Sequence, residues 1–193
     1  MEAASETQKR ILQVYTNGIL SQIKKKIEQV GVVCFSKQLD NKLMWSHYAK
    51  KHTGLCLTYE IPSEFILNNS PPLLGWSEVK YGNEEIKNFF ITLNPNNGAD
   101  EFKSFIKPLV ITIISTKSEV WSYEQEFRIV KSEPGIFDID RNWLKQICFG
   151  LATTDEHINL IKKIISNHGY SDMIFAKMTR SNSHDFGFEA QPI

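Results

Sequence analysis

Ile11, Tyr15, Ile19, Ile23 and Ile27 recur every four residues, a stripe that predicts one long helix from about residue 6 to residue 30. Ser5 with Gln8 reads as its capping box and Gly31 as its stop. Gly18 inside it weakens the helix by roughly 1 kcal/mol. Residues 32–36 form a short apolar run suited to a buried strand, and residues 43–51 suit a short helix or turn that stops near Gly54. Residues 55–61 alternate and are rich in β-formers, which predicts a second strand. Residues 62–74 read as a loop with a helical turn at 63–67, the Pro71-Pro72 pair marking its exposed end.

A short strand at 79–81 and a helix at 83–93 follow, then a turn cluster of Asn, Pro and Gly at 94–98. Phe102, Phe105, Ile106, Leu109 and Ile113 share one face of a helix over about 100–115, which Pro108 kinks or restarts. The β-branched run 110–114 within it also suits a strand. Further strands are expected at 126–131 (starting as early as Trp121), at 147–149 before Gly150, at 173–178 and at 186–190. Thr154 caps a helix running to about Asn167, with Gly169 at its end. The pattern as a whole predicts an α+β fold: one mixed or antiparallel sheet with several flanking helices. The N-terminal helix, 1–30, forms one structural unit with the main domain, 31–193.

At 193 residues the chain is long enough for a sizeable core. Lys+Arg and Asp+Glu both number 22, so zero net charge makes no electrostatic case for a nucleic-acid or membrane partner. Lys24-Lys25-Lys26 reads as a solvated helix face. Cys34, Cys56 and Cys148 lie in apolar runs; their odd number and irregular spacing argue against a disulfide framework and for a reduced, cytoplasmic setting. No cysteine pair has zinc-ligand spacing. The polar, acidic N-terminus is unlike a signal peptide, and the apolar runs fall far short of a membrane span.

Chemistry concentrates in a few places. Trp45, Ser46, His47, Tyr48 and His52 fall within eight positions. On a helix, His47 and His52 would stand about 140° apart, which disfavours a shared metal. The cluster can instead stack on and hydrogen-bond a planar, polar ligand, or form a buried corner whose polar atoms bond to backbone. In the segment Trp121-Ser122-Tyr123-Glu124-Gln125-Glu126-Phe127-Arg128, a strand would put Glu124, Glu126 and Arg128 on one face. That face is either plain solvent exposure or a carboxylate held by a guanidinium, ready to accept from a sugar hydroxyl. Ser36 sits at a strand end, yet the chain lacks a Gly-x-Ser-x-Gly elbow, which argues against serine hydrolysis. The turn 150–156 carries one glycine and no Gly-Lys-Ser/Thr, so Thr154 reads as an ordinary N-cap rather than an anion site.

Several segments recur in a familiar order: Val33-Cys34-Phe35-Ser36, Leu43-Met44-Trp45-Ser46-His47-Tyr48-Ala49 with His52 and Gly54, Lys117-Ser118, Trp121 to Arg128, and Ile147-Cys148-Phe149-Gly150. From about Gly31 to the C-terminus the chain resembles the bacterial domain-of-unknown-function family 2971. Members of that family usually open with a Tyr-x-Tyr or His-Tyr-Thr strand, a helix and an Asn-Asp-Pro segment. With the late Glu-x-Glu strand, this order is similar to the layout of ADP-ribosyltransferases. There an early His or Arg strand and an aromatic position cradle NAD, and a late glutamate stabilises the oxocarbenium-like sugar. The resemblance therefore implies Glu126 or Glu124 as the catalytic carboxylate. It implies Trp45, His47, Tyr48, His52, Ser36, Trp121 and Arg128 as ligand-binding residues and NAD as a substrate; the sequence itself requires no cofactor. The opening strand and the Asn-Asp-Pro segment are missing here, which suggests a truncated or non-catalytic member.

Three functions compete on this reading. One is a nucleotide-processing enzyme, most concretely an NAD-dependent ADP-ribosyltransferase. Another is a non-catalytic interaction module, in a defence or toxin context, whose unpaired sheet edge invites a protein partner or a second copy. The last is a polar-aromatic core in which Trp45, His47, Tyr48 and Trp121 join the strands. Convergence of His47, Tyr48, Glu124, Glu126 and Arg128 in one open cleft would favour a site, and full burial with paired polar atoms a core.

Overall fold

Helices and strands mix as an α+β fold requires, but the strands of the computed structural model form three sheets among the described residues rather than one. The structure describes residues 6–67, 73–92, 99–170, 172–181 and 187–193. The chain opens with α1 (Glu6–Glu28), β1 (Gly31–Ser36), α2 (Lys42–Tyr48), β2 (Leu55–Tyr59) and α3 (Ser63–Leu67). It continues through β3 (Leu73–Glu78), β4 (Lys80–Tyr81), α4 (Glu84–Thr92), α5 (Ala99–Ile114) and β5 (Thr116–Lys117). A 3-10 turn (Glu119–Glu124) leads into β6 (Glu126–Lys131), and a second (Arg141–Trp143) into β7 (Leu144–Phe149). Last come α6 (Asp155–Asn167), β8 (Ile174–Arg180) and β9 (Phe188–Pro192). The sheets run β1-β6-β3, β2-β7-β8-β9 and β4-β5.

Most expected elements are present, with instructive exceptions. The strand at 73–78 starts inside the loop expected over 62–74 and continues through residues given no element, and the strand expected from Trp121 is a 3-10 turn until Glu124. The β-branched run 110–114 is helical, with Pro108 inside α5. Ile106, Val110 and Ile114, four residues apart, pack with Ile27, Val30, Leu74 and Val130, so the helical period decided this segment. Gly31 does not stop α1, which ends at Glu28. Gly31 opens β1 where a Cβ would lie 2.6 Å from the Glu133 carbonyl oxygen, so close backbone approach explains it. The capping-box residue Ser5, Pro71-Pro72, the turn 94–98 and the start of the strand expected at 186 lie outside the described residues. So do the side chains of Gln8, Ile11, Tyr15, Ile19 and Phe102.

The chain forms two compact units interleaved along the sequence. One comprises Met1–Cys34, Ser70–Glu119 and Arg128–Gly135. Its core is the α1–α5 cluster with Leu74 and Val130, beside the parallel pair β4-β5. The other comprises Phe35–Asn69, Val120–Phe127 and Ile136–Ile193, and holds the four-stranded sheet.

In that sheet β2 pairs antiparallel with β7, β7 parallel with β8, and β8 antiparallel with β9. Both faces are covered, which is why residues 147–149 read as an unbroken apolar run. Ile147 and Phe149 point to α6 and pack with Ile158, Ile161 and Ile165. Cys148, Ala176 and Met178 point the other way, to Trp45 and Ala49. Thr154 caps α6 as expected, accepting from the His157 N–H at 3.4 Å, and Gly169 follows it at φ +74°.

β7 ends at Phe149, and Gly150 next to it lies against the segment that follows α2. The Gly150 N–H donates to the Gly54 carbonyl and the Ala152 N–H to the His52 carbonyl, both at 2.9 Å. A Cβ on Gly150 would fall 2.2 Å from the His52 carbonyl oxygen. Gly150→Ala should therefore force two backbone segments apart and lower unfolding free energy by about 2 kcal/mol or more. Urea denaturation of the two proteins checks this; an unchanged midpoint would contradict the close approach.

Candidate functional site

The site begins with Asn41. Its Oδ1 accepts from the N–H groups of Leu43 at 3.0 Å and Met44 at 3.3 Å, capping α2, while its Nδ2 donates to the Tyr123 carbonyl. Trp45, 3% exposed, anchors the helix in the core and donates Nε1–H to the Leu39 carbonyl at 2.6 Å. The neighbouring turn leaves His47 and Tyr48 at the surface.

The helix stops at Tyr48, and His52 is not on it. Lys50, Lys51 and His52 instead take successive left-handed conformations, with φ of 48°, 55° and 66°. Each costs roughly 1–2 kcal/mol for a residue with a Cβ. The turn persists because the N–H groups of Lys51, His52 and Gly54 bond back to the carbonyls of Ser46, Trp45 and Ala49. The expected helical geometry of His47 and His52 is thus replaced by a reversal. His52 packs edge-on against Phe188 at 5.5 Å, and its buried Nδ1 has no hydrogen-bond partner among the described residues.

The second segment also departs from expectation. Glu124 closes the 3-10 turn, and Gln125 has φ +43°, so the chain kinks before β6 begins at Glu126. Glu124 therefore does not continue the strand alternation that Glu126 and Arg128 follow. Arg128 belongs to the other unit, where its guanidinium donates to the Ile114 carbonyl. Ser36 Oγ–H donates to the Glu124 carbonyl at 2.9 Å, a latch on the turn. The Lys37 N–H adds a bond to the Gln125 carbonyl at 3.1 Å.

The side chain of Glu124 is the centre of the arrangement. It is 1% exposed, and the Tyr48 hydroxyl donates to its Oε1 at 2.7 Å. Tyr48 itself is 64% exposed, so one side chain joins a buried carboxylate to solvent. Its ring starts a chain of rings: His47 at 6.4 Å from Tyr48, Tyr123 at 6.4 Å from His47, and Trp121 at 5.9 Å from Tyr123. Trp121 is exposed and Tyr123 half-buried. Glu126 is buried at the start of β6.

The structure thus brings Ser36, His47, Tyr48, Trp121 and Glu124 into one arrangement and puts Trp45 beneath it. Among the described residues no group of three His, Cys, Asp or Glu side chains lies close enough to hold a metal ion. The geometry offers exposed π-faces and one buried hydrogen-bond acceptor behind a tyrosine. Sequence reasoning gave no role to Asn41 or Tyr123. An Asn directly before a helical segment is a capping signal and could have found Asn41; the bond from Asn41 to Tyr123 is tertiary and had no local signal.

Residues 44–129 match the family described as protein of unknown function (DUF2971), so the resemblance seen in the sequence holds over that segment. No curated protein and no solved structure matches the chain. No helix of the described residues is long and apolar enough to cross a membrane.

Tyr48→Phe removes the 2.7 Å hydrogen bond to the buried Glu124 side chain, so it should destabilise the protein by about 1–3 kcal/mol. His47→Ala, at an exposed position, should change stability by no more than about 0.5 kcal/mol. Chemical denaturation of both variants separates them; equal effects would argue against the Tyr48–Glu124 bond.

Proposed function

We propose that the face made by His47, Tyr48, Tyr123 and Trp121 binds a planar, polar ligand of the nucleotide class, and that the ligand is NAD, used for ADP-ribosyl transfer. The observation that carries this reading is the 2.7 Å bond from the exposed Tyr48 to the buried Glu124. It places an acceptor directly behind an aromatic surface. Base stacking on such rings is worth about 1–3 kcal/mol per base.

In this reading the nicotinamide or adenine ring stacks on the exposed rings. The Tyr48 hydroxyl turns aside, and Glu124 Oε1 accepts instead from a ribose hydroxyl. The bond between nicotinamide and ribose breaks, its electron pair leaving with nicotinamide. The carboxylate's charge favours the oxocarbenium-like ribose, which takes a lone pair from an acceptor that gives up a proton. Glu126 is the second candidate for that carboxylate role. Ser36 and Trp45 hold the turn and the helix in place, and His52 lies on the core side of the reversal.

A second reading rests on burial. Glu124 and Glu126 are 1% and 7% exposed, which suits carboxylates that hold a binding module together without doing chemistry. The module would then present the same rings to a partner or to a nucleotide that it leaves intact.

Ligand-observed NMR with NAD, together with an assay for released nicotinamide, distinguishes the two. Binding that Trp121→Ala weakens, with release abolished in Glu124→Gln or Glu126→Gln, supports transfer. Binding without release supports the module, and no binding at millimolar NAD overturns the nucleotide reading.

A further inference from the structure

Cys56 and Cys148 are partners in the antiparallel register of β2 and β7. Directly opposed residues of an antiparallel pair project to the same face, and both cysteines pack in the cluster around Trp45 and Ala49. The Gly150 N–H bond to the Gly54 carbonyl marks a hydrogen-bonded pair two positions before Cys56 and two after Cys148. The ladder alternates, so Cys56 and Cys148 also form a hydrogen-bonded pair, with Cα atoms about 5.5 Å apart. That spacing lies within the range of about 4.4–6.8 Å that a disulfide spans. Both cysteines are reduced in the structure.

We propose that Cys56 and Cys148 form a reversible cross-strand disulfide, closed by an oxidant of the small-molecule disulfide class. Cys56, the more accessible of the two, attacks one sulfur of the oxidant, giving a mixed disulfide and one thiolate. Cys148 then attacks the Cys56 sulfur and expels the second thiolate. Two cysteine thiols lose two electrons, the oxidant's two sulfurs gain them, and the two protons end on the released thiols. The sheet's own hydrogen bonds fix both strands, so the new bond must adapt its torsion to them. Disulfides constrained in this way are the more readily reduced ones. Burial pushes the Cys56 thiol up, and burial followed by the neighbouring Cys56 pushes Cys148 up to about 12. Closure is therefore slow near neutrality. It should accelerate about tenfold per pH unit as more Cys148 thiolate becomes available.

The test uses the full chain carrying Cys34→Ser, which removes the exposed third thiol. The folded protein is incubated with oxidised glutathione from pH 7 to pH 9. It is then quenched by alkylation and analysed as intact protein and by peptide mapping. The expected product has lost two hydrogens and carries a Cys56–Cys148 linked peptide, and mild reduction restores both thiols. Cys148→Ser should instead stop at a glutathione adduct on Cys56. Two alkylatable thiols after oxidation, a stable adduct on Cys56 in the Cys34→Ser chain, or a link formed only in denaturant would each overturn the proposal.

Discussion

Hydrogen bonds reaching into a single short stretch, residues 123–125, organise the unit that carries the candidate site. Asn41 donates to the carbonyl of Tyr123, Ser36 to that of Glu124, and the Lys37 N–H to that of Gln125, while Tyr48 donates to the Glu124 carboxylate. These donors come from the end of β1, the cap of α2 and the last residue of α2. They hold a 3-10 turn and a left-handed Gln125, a conformation that local sequence does not favour. They help to keep Glu124 inside and Trp121 outside.

The same economy appears on the other side of α2. Three consecutive left-handed residues are costly, and the reversal at 50–52 is closed by backbone bonds to α2 and by Gly150. Two strained turns thus flank one seven-residue helix. Trp45 fills the core beneath that helix and Tyr48 caps a carboxylate above it. Strain of this kind persists only where surrounding structure over-determines it, and it often accompanies a binding surface. The resulting surface is aromatic and exposed, whereas the carboxylates behind it are buried.

Beneath α2, the cluster that receives Trp45 also contains the opposed Cys56 and Cys148. An odd cysteine count and irregular spacing argue against a disulfide framework and for reduced thiols. A sheet register, which brings together residues 92 positions apart, makes two of them neighbours. Spacing along the chain carries no trace of a pair created by strand pairing.

Local sequence determined much of this protein. Periodicity identified most helices and strands, Thr154 named its own helix, and the Trp-Ser-His-Tyr-Ala segment lies in the stretch, residues 44–129, that matches the family of unknown function. These are short-range signals: side-chain period, capping chemistry and a contiguous motif. Tertiary structure alone decided the rest. A strand face shared by Glu124, Glu126 and Arg128 was a sound extrapolation from period two, and the kink at Gln125 broke it. A helical relation between His47 and His52 was equally sound, and bonds to α2 and β7 folded the chain back instead. Ser36 carries no local mark of a latch, because its partner is a carbonyl 88 residues away. Alternation and helix pitch are properties of a few successive residues. Where backbone donors must find acceptors far along the chain, the cost of leaving them unpaired overrides local preference, and it did so at the residues that shape the site.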